Sequence, residues 1–254
     1  MQNVIFYFTG TGNSLQLAQG IAEVLGNCEV INIAKHSGDI PTGVERAGFV
    51  FLVYFGGLPG IAHAFLKNLS IQGDPYLFCV ANCGGSSGVF LKQTAHYLRQ
   101  KGKTLQAGTS ILMPENFILL YDRFGEERER MLFTNAEQKI AELGVTIRGK
   151  QAAAFEYAGN VPFRYVGGLF NRAFIGLAAG LDRHFHISDR CIGCGKCERI
   201  CGVGNIVLRE RKPVWNHHCE LCMGCINVCP VKSIDFGRLT QKKERYINPN
   251  VTLL

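Results

Sequence analysis

No segment of the 254 residues is apolar for long enough to cross a bilayer as a helix. The best stretch, LFNRAFIGLAAGL at 169–181, falls short of the roughly 20 residues a span needs, and it carries Arg172. The opening MQNVIFYF has no basic segment and no small-residue cleavage site before a strand pattern begins, so the expected location is the cytoplasm. Charged residues make up 19% against 47% hydrophobic, which argues against a disordered chain. Low-complexity tracts are missing as well. Only Cys28, Cys79 and Cys83 of the eleven cysteines lie outside residues 191–229. Eleven cysteines in a small secreted chain would read as disulfides; tight clustering in a reducing compartment points elsewhere.

What is present begins with an alternation of strand and helix patterns. Apolar runs at 3–8, 28–34, 47–55, 75–82 and 104–113 read as five strands. Between and after them, 14–25, 61–69, 88–102 and 126–143 read as helices, the last ending at Gly144. Strands without polar alternation, separated by helices, imply a parallel sheet covered on both faces. The expected fold class is therefore α/β, a doubly wound five-stranded sheet over residues 1–145. A connecting segment follows at 146–186, helical after Gly168 and packed against the sheet domain. Residues 187–254 change character: they are cysteine-rich, with short strands such as NIVLRER and PVWNHH and a basic, solvated tail from 238.

The cysteines form an internal repeat. CIGCGKCERIC supplies Cys191, Cys194, Cys197 and Cys201, and CELCMGCINVCP supplies Cys219, Cys222, Cys225 and Cys229. Both runs have the spacing C-x2-C-x2-C-x3-C. Three thiolates two residues apart wrap a loop around three irons of a cubane, and the fourth points to the neighbouring cluster. Crossed ligation is expected: Cys191, Cys194, Cys197 and Cys229 on one 4Fe–4S cluster, Cys201, Cys219, Cys222 and Cys225 on the other. Paired zinc sites are the alternative, but zinc usually takes two C-x2-C pairs rather than two runs of four. Gly193, Gly195 and Gly224 let backbone N–H groups approach the sulfurs. His217, His218 and Trp215 read as loop and packing residues. These runs resemble bacterial-type ferredoxins with two 4Fe–4S clusters, over about residues 187–237. The family's proline after the fourth cysteine is kept as Pro230, but the first run has Gly202 in its place.

A weaker motif, TGTGNS at 9–14, stands between the first strand and the first helix. It lacks the Gly-Lys-Ser/Thr ending of a nucleotide-hydrolysing loop, and Leu15 occupies the third glycine position of a dinucleotide fingerprint. Small donors at a helix N-terminus, from Thr9, Gly10, Thr11, Gly12, Asn13 and Ser14, suit a single phosphate held without a lysine. An ordinary turn capped by Ser14 or Asn13 is the alternative.

The turn, with the five-stranded pattern, resembles the phosphate loop of flavodoxins, which bind FMN at the carboxyl ends of their strands. The resemblance covers roughly residues 1–145 and implies the strand order 2-1-3-4-5. It implies that loops with Tyr54, Phe55, Gly56, Gly57 and Leu58, and with Asn82, Cys83, Gly84, Gly85 and Gly88, flank the flavin ring. No tyrosine lies in the second loop, so Phe55 or Tyr54 is the expected stacking partner. Asn116 and Phe117 sit in a third loop at the same edge. Cys83 has no base adjacent in sequence and is not read as a nucleophile.

The whole chain resembles fused flavodoxin-like and ferredoxin proteins of anaerobic bacteria and archaea. This implies an electron carrier relaying electrons between FMN and two 4Fe–4S clusters to redox partner proteins, with no catalytic residue. A flavin-dependent reductase of a small acceptor, and a ferredoxin with an empty flavodoxin-like scaffold, are the alternatives. The net charge of +7 would be mostly cancelled by eight thiolates and a phosphate, less the cluster cores. No nucleic-acid partner is implied, and oligomeric state is left open.

Overall fold

The computed structural model describes residues 3–36, 38–159 and 162–254. Strand β1 (Asn3–Phe8) leads into helix α1 (Asn13–Leu25) and strand β2 (Cys28–Asn32). The run at 28–34 stops as a strand at Asn32, whose side-chain oxygen accepts from the Ala34 N–H and bends the chain into a tight helical turn. Then come β3 (Asp39–Ile40), β4 (Arg46–Leu52), α2 (Gly60–Asn68), β5 (Ser70–Ile71), β6 (Tyr76–Cys83), α3 (Phe90–Gln100), β7 (Leu105–Leu112) and α4 (Glu126–Arg148).

Five strands form one parallel sheet in the order β2-β1-β4-β6-β7, while the short β3 and β5 pair separately. Counting only strands of the large sheet, this is 2-1-3-4-5, the flavodoxin-like doubly wound order. Side chains alternate across it. Phe6, Phe8, Phe49 and Phe51 pack with Phe65 of α2 and Phe90 of α3 on one face. Ile5, Val50, Phe78 and Val80 pack with Leu17 and Ile21 of α1 and Ile140 and Leu143 of α4 on the other.

Helix α4 does not end at Gly144 as its pattern suggests. A Cβ at that position would lie 2.3 Å from Val24 Cγ1, so the glycine lets α1 and α4 approach closely. The connecting segment first runs along the outer strand β7, with Ala153 N–H donating to Gln106 O and Glu156 N–H to Gly108 O. It then forms α5 (Phe163–Leu181), which passes through Gly168 without a break.

In the cysteine-rich part, β8 (Phe185–Ile187) pairs antiparallel with β11 (Ile234–Phe236). Between them lie α6 (Lys196–Ile200), the hairpin β9 (Ile206–Arg209) and β10 (Lys212–Trp215), and α7 (Gly224–Val228). A third core gathers Phe185, Ile206, Leu221, Ile226 and Phe236 with Phe117 and Ile118 from the loop after β7 and Phe174 and Ala178 from α5. Phe174 also packs on the α2–α3 side of the sheet, so α5 bridges the two parts.

The tail from 238 is not a solvated extension. Tyr246 and Asn248 are buried, and the Arg245 guanidinium bonds buried Asp235 at 2.7 Å. The tail folds back over the sheet domain because its polar groups find buried partners at the start of α1.

Candidate redox site

Parallel strands end together, and the loops that leave them enclose a cleft of about 440 Å³ at the carboxyl edge of the sheet. Thr9, Gly10, Thr11 and Asn13 line it from the loop after β1, and Tyr54, Phe55 and Gly56 from the loop after β4. Asn82, Cys83, Gly84 and Gly85 come from the end of β6, and Asn116 from the loop after β7. Four residues expected at the site lie behind it. Gly12 packs on Asn248 and Val251 of the tail, Gly57 on Asn171 and Gln93, and Gly88 on the Gly56 backbone. The Ser14 hydroxyl is buried, accepting from Asn82 Nδ2 at 3.0 Å.

Asn13 is also spent on protein. Its Nδ2 donates to Pro114 O at 2.8 Å, and its Oδ1 accepts from Tyr246 O–H at 2.6 Å and Asn248 Nδ2 at 2.9 Å. Thr9 Oγ1 accepts from Gly12 N–H, and Thr11 Oγ1 from Asn116 Nδ2, which leaves both hydroxyl protons free to donate. The anion-binding capacity of the turn thus rests on its backbone N–H groups and two threonines, with the positive end of α1 behind them.

The walls join Phe117, expected at this edge, to residues that the sequence pattern did not single out. Phe174 of α5 stacks on Phe55 with ring centroids 3.9 Å apart, and Phe117 meets both rings edge-on. Glu115 covers Gly84, and burial pushes its carboxyl above the ordinary range, opposed by the Asn116 N–H. Burial, with the Glu115 charge second, pushes the Cys83 thiol up to about 12, which leaves it a protonated, inert wall residue. Asn171 on the apolar helix α5 donates to Tyr54 O at 2.7 Å and Leu58 O at 3.0 Å, and so fixes the loop after β4. A lone asparagine within LFNRAFIG is a polar interruption that could have marked this clamp.

The cysteine runs meet across each other. Cys191, Cys194, Cys197 and Cys229 line one small cavity with Gly193, Pro213 and Pro230. Cys201 lies within charge range of Cys219, Cys222 and Cys225. Backbone N–H groups aim at the sulfurs: Asn205 at Cys201, Leu221 at Cys219 and Ser233 at Cys229, each at 3.2 Å. Among the described residues no three His, Cys, Asp or Glu side chains converge on a single-ion site; a cubane asks instead for four thiolates spread over separate irons. Burial pushes the Cys197 thiol up to about 11 and the Cys222 thiol up to about 12, so these groups ionise only with a strong local cation such as iron. Thiol chemistry, crossing and N–H donors all fit iron–sulfur ligation.

Residues 185–207, which include the first cysteine run, match the family model of the 4Fe-4S binding domain. The chain carries an iron–sulfur redox domain. This domain holds at least one 4Fe–4S site and gives the protein an electron-transfer role. A comparison with curated proteins finds no match. Among solved structures the chain is similar to a flavodoxin from Streptococcus pneumonia TIGR4, at 13% identity and TM-score 0.40 over 59% of this chain and 98% of that one. It is similar also to an azoreductase from Bacillus anthracis str. Sterne, at 12% and 0.38 over 57% and 99%. A third is the Trp repressor binding protein from Bacillus subtilis, at 14% and 0.36 over 54% and 96%. Among the described residues no helix is long and apolar enough to cross a membrane.

The redox domain abuts the cleft. Leu221, between two cysteines of the second run, is part of its wall. Gly10 of the phosphate-type turn lies so close to the Cys222 carbonyl that a Cβ would sit 2.2 Å from it. Asn116 Nδ2 reaches the same carbonyl at 3.4 Å. The Glu220 carboxylate accepts from Gly60 N–H at 2.9 Å at the start of α2. At the outer side of the domain, Cys194 is exposed, whereas Cys225 and its neighbour Leu221 are buried.

Proposed function

We propose that this protein is an electron carrier that links an FMN held in the cleft to two 4Fe–4S clusters and, through them, to redox partner proteins. The observation that carries it is the shared wall: the Cys219–Cys222 loop touches the turn at Gly10 and lines the cleft through Leu221. When bound, FMN supplies two-electron chemistry and each cluster one-electron chemistry. The chain's own residues supply placement. Thr9, Thr11 and the backbone N–H groups at the start of α1 would grip the phosphate, and Phe55 and Phe174 would cover the ring. The cleft's aromatic wall supports a planar ligand.

Cys201, Cys219, Cys222 and Cys225 would hold the cluster beside the flavin. Cys191, Cys194, Cys197 and Cys229 would hold the outer one, where exposed Cys194 gives partner proteins a short approach. In this reading residues 1–145 are the flavin module, 146–186 the connector and 187–254 the ferredoxin module. Eight thiolates kept free for iron suit a reducing compartment, the cytoplasm.

Anaerobic purification with iron, sulfide and flavin quantified together tests the reading. About eight irons, eight sulfides and one FMN per chain are expected. Zinc in place of iron, or clusters without extractable FMN, would remove the relay.

A further inference from the structure

Tyr54 was expected at the flavin ring, yet its hydroxyl is used by nothing visible in the protein. The loop after β4 pins its backbone: Tyr54 N–H donates to Gly57 O at 2.8 Å, Gly57 N–H returns to Tyr54 O at 3.0 Å, and Asn171 clamps the same carbonyl. Phe55 and Gly56 turn the chain in the left-handed region, with φ 42 and 79. The ring is thereby fixed edge-on to Phe174 at 6.2 Å. The hydroxyl is fully buried and has no hydrogen-bond partner among the described residues.

The groups around this hydroxyl narrow its use. Tyr54 shares a cavity of about 220 Å³ with Cys219, Glu220 and His218, and the Cys222 side chain packs against the same core. The Glu220 carboxylate is already engaged by the start of α2. Both His218 ring nitrogens face backbone carbonyls, of Asn216 and Val203. No cysteine sulfur accepts from the hydroxyl either, so the acceptor left is an inorganic sulfide that a cluster held by these cysteines would bring. A phenol is protonated at neutral pH, so the hydroxyl is a donor.

We propose that the Tyr54 O–H donates a hydrogen bond to a sulfur of the iron–sulfur centre held by Cys201, Cys219, Cys222 and Cys225, and so raises that centre's reduction potential. This rests on the two-cluster reading above. A hydrogen bond to sulfur stabilises the more negative, reduced state. Tyr54 also lines the cleft, so the donor stands between the flavin site and the cluster it tunes.

The test is a redox titration, followed by electron paramagnetic resonance, of anaerobically purified wild-type protein and Tyr54→Phe, each with iron and sulfide counted. Resonance Raman spectra of the iron–sulfur stretches are taken in H2O and D2O. The expected result is that one of the two midpoints falls, by a several-fold change in the reduced-to-oxidised ratio at fixed potential (a tenfold change is 59 mV for one electron). The other midpoint stays, the iron content is unchanged, and part of the D2O shift disappears in the variant. Unmoved midpoints, equal movement of both, or an unaltered D2O shift would overturn the proposal. An iron content near four per wild-type chain would instead sink the two-cluster reading on which it rests.

Discussion

At the scale of single residues, Asn13 is the hub that joins the turn to both the loop after β7 and the tail. It bonds Pro114, Tyr246 and Asn248 from within the buried start of α1. Asn13→Ala leaves the Pro114 carbonyl and the Tyr246 hydroxyl without that partner, at an expected loss of about 3 kcal/mol in denaturant unfolding. Tyr246→Phe removes only one donor, since Asn248 still serves Asn13 Oδ1, and about 1 kcal/mol is expected. Glu115 gives a pH signature. Its folded carboxyl titrates above the unfolded one because it is buried. Stability therefore is unaffected by this group below the ordinary carboxylate range and falls as pH rises through the window up to the raised value. Glu115→Gln should flatten the decline in melting temperature across that window, with little change in more acidic solution. An unchanged pH profile would show that the carboxyl is already solvated.

At the scale of elements, the two parts meet through positions that exclude side chains. Gly202 stands where related ferredoxins usually have proline. A Cβ there would lie 2.9 Å from Ala34 Cβ and 3.0 Å from the Phe8 ring. The departure from the family pattern is thus a docking requirement of the first cysteine run against the sheet domain. Gly202→Pro should keep iron in the protein but loosen this contact, seen as faster amide exchange at β2 and the turn after it. Helix α5 is the second joint. Replacing Asn171 by Ala removes two bonds to the loop after β4 and the partner of Gln93 Nε2, at 3.1 Å. Flavin affinity should fall at least tenfold, a change that needs only about 1.4 kcal/mol, measured by fluorescence titration of the deflavinated protein.

The elements themselves were largely legible. The sheet strands follow from continuous apolar runs, and 2-1-3-4-5 is the order observed. The ends were not. Gly144 looks like a helix stop in sequence and Gly168 like a helix start, yet α4 and α5 run through them; at Gly144 the residue answers to a neighbouring helix rather than to its own. The basic tail reads as solvated because its partner Asn13 lies 233 residues away in sequence.

At the scale of the whole molecule, the proposed function depends on contact between the two modules. Glu220 ties the second cysteine loop to α2 from a position between two cysteines. Burial raises its carboxyl, and the Gly60 and Ile61 N–H groups oppose that shift. Glu220→Ala should leave iron and flavin content near wild type yet slow reoxidation of the clusters by flavin at least several-fold in stopped flow. Equal rates in both proteins would mean that the loop is held by other contacts.

The sequence alone determined the architecture and the iron–sulfur character of the first cysteine run, whose spacing lies within the matched 4Fe-4S binding domain. Strand periodicity specifies a parallel sheet because burial is periodic. Only the tertiary structure decided which residues of the turn remain free, that Gly202 must lack a side chain, that α5 supplies a wall, and that Tyr54 shares a buried cavity with Cys219 of the second cysteine loop. These depend on pairs such as Gly10 with Cys222 and Asn13 with Tyr246, distant in sequence and adjacent only after packing.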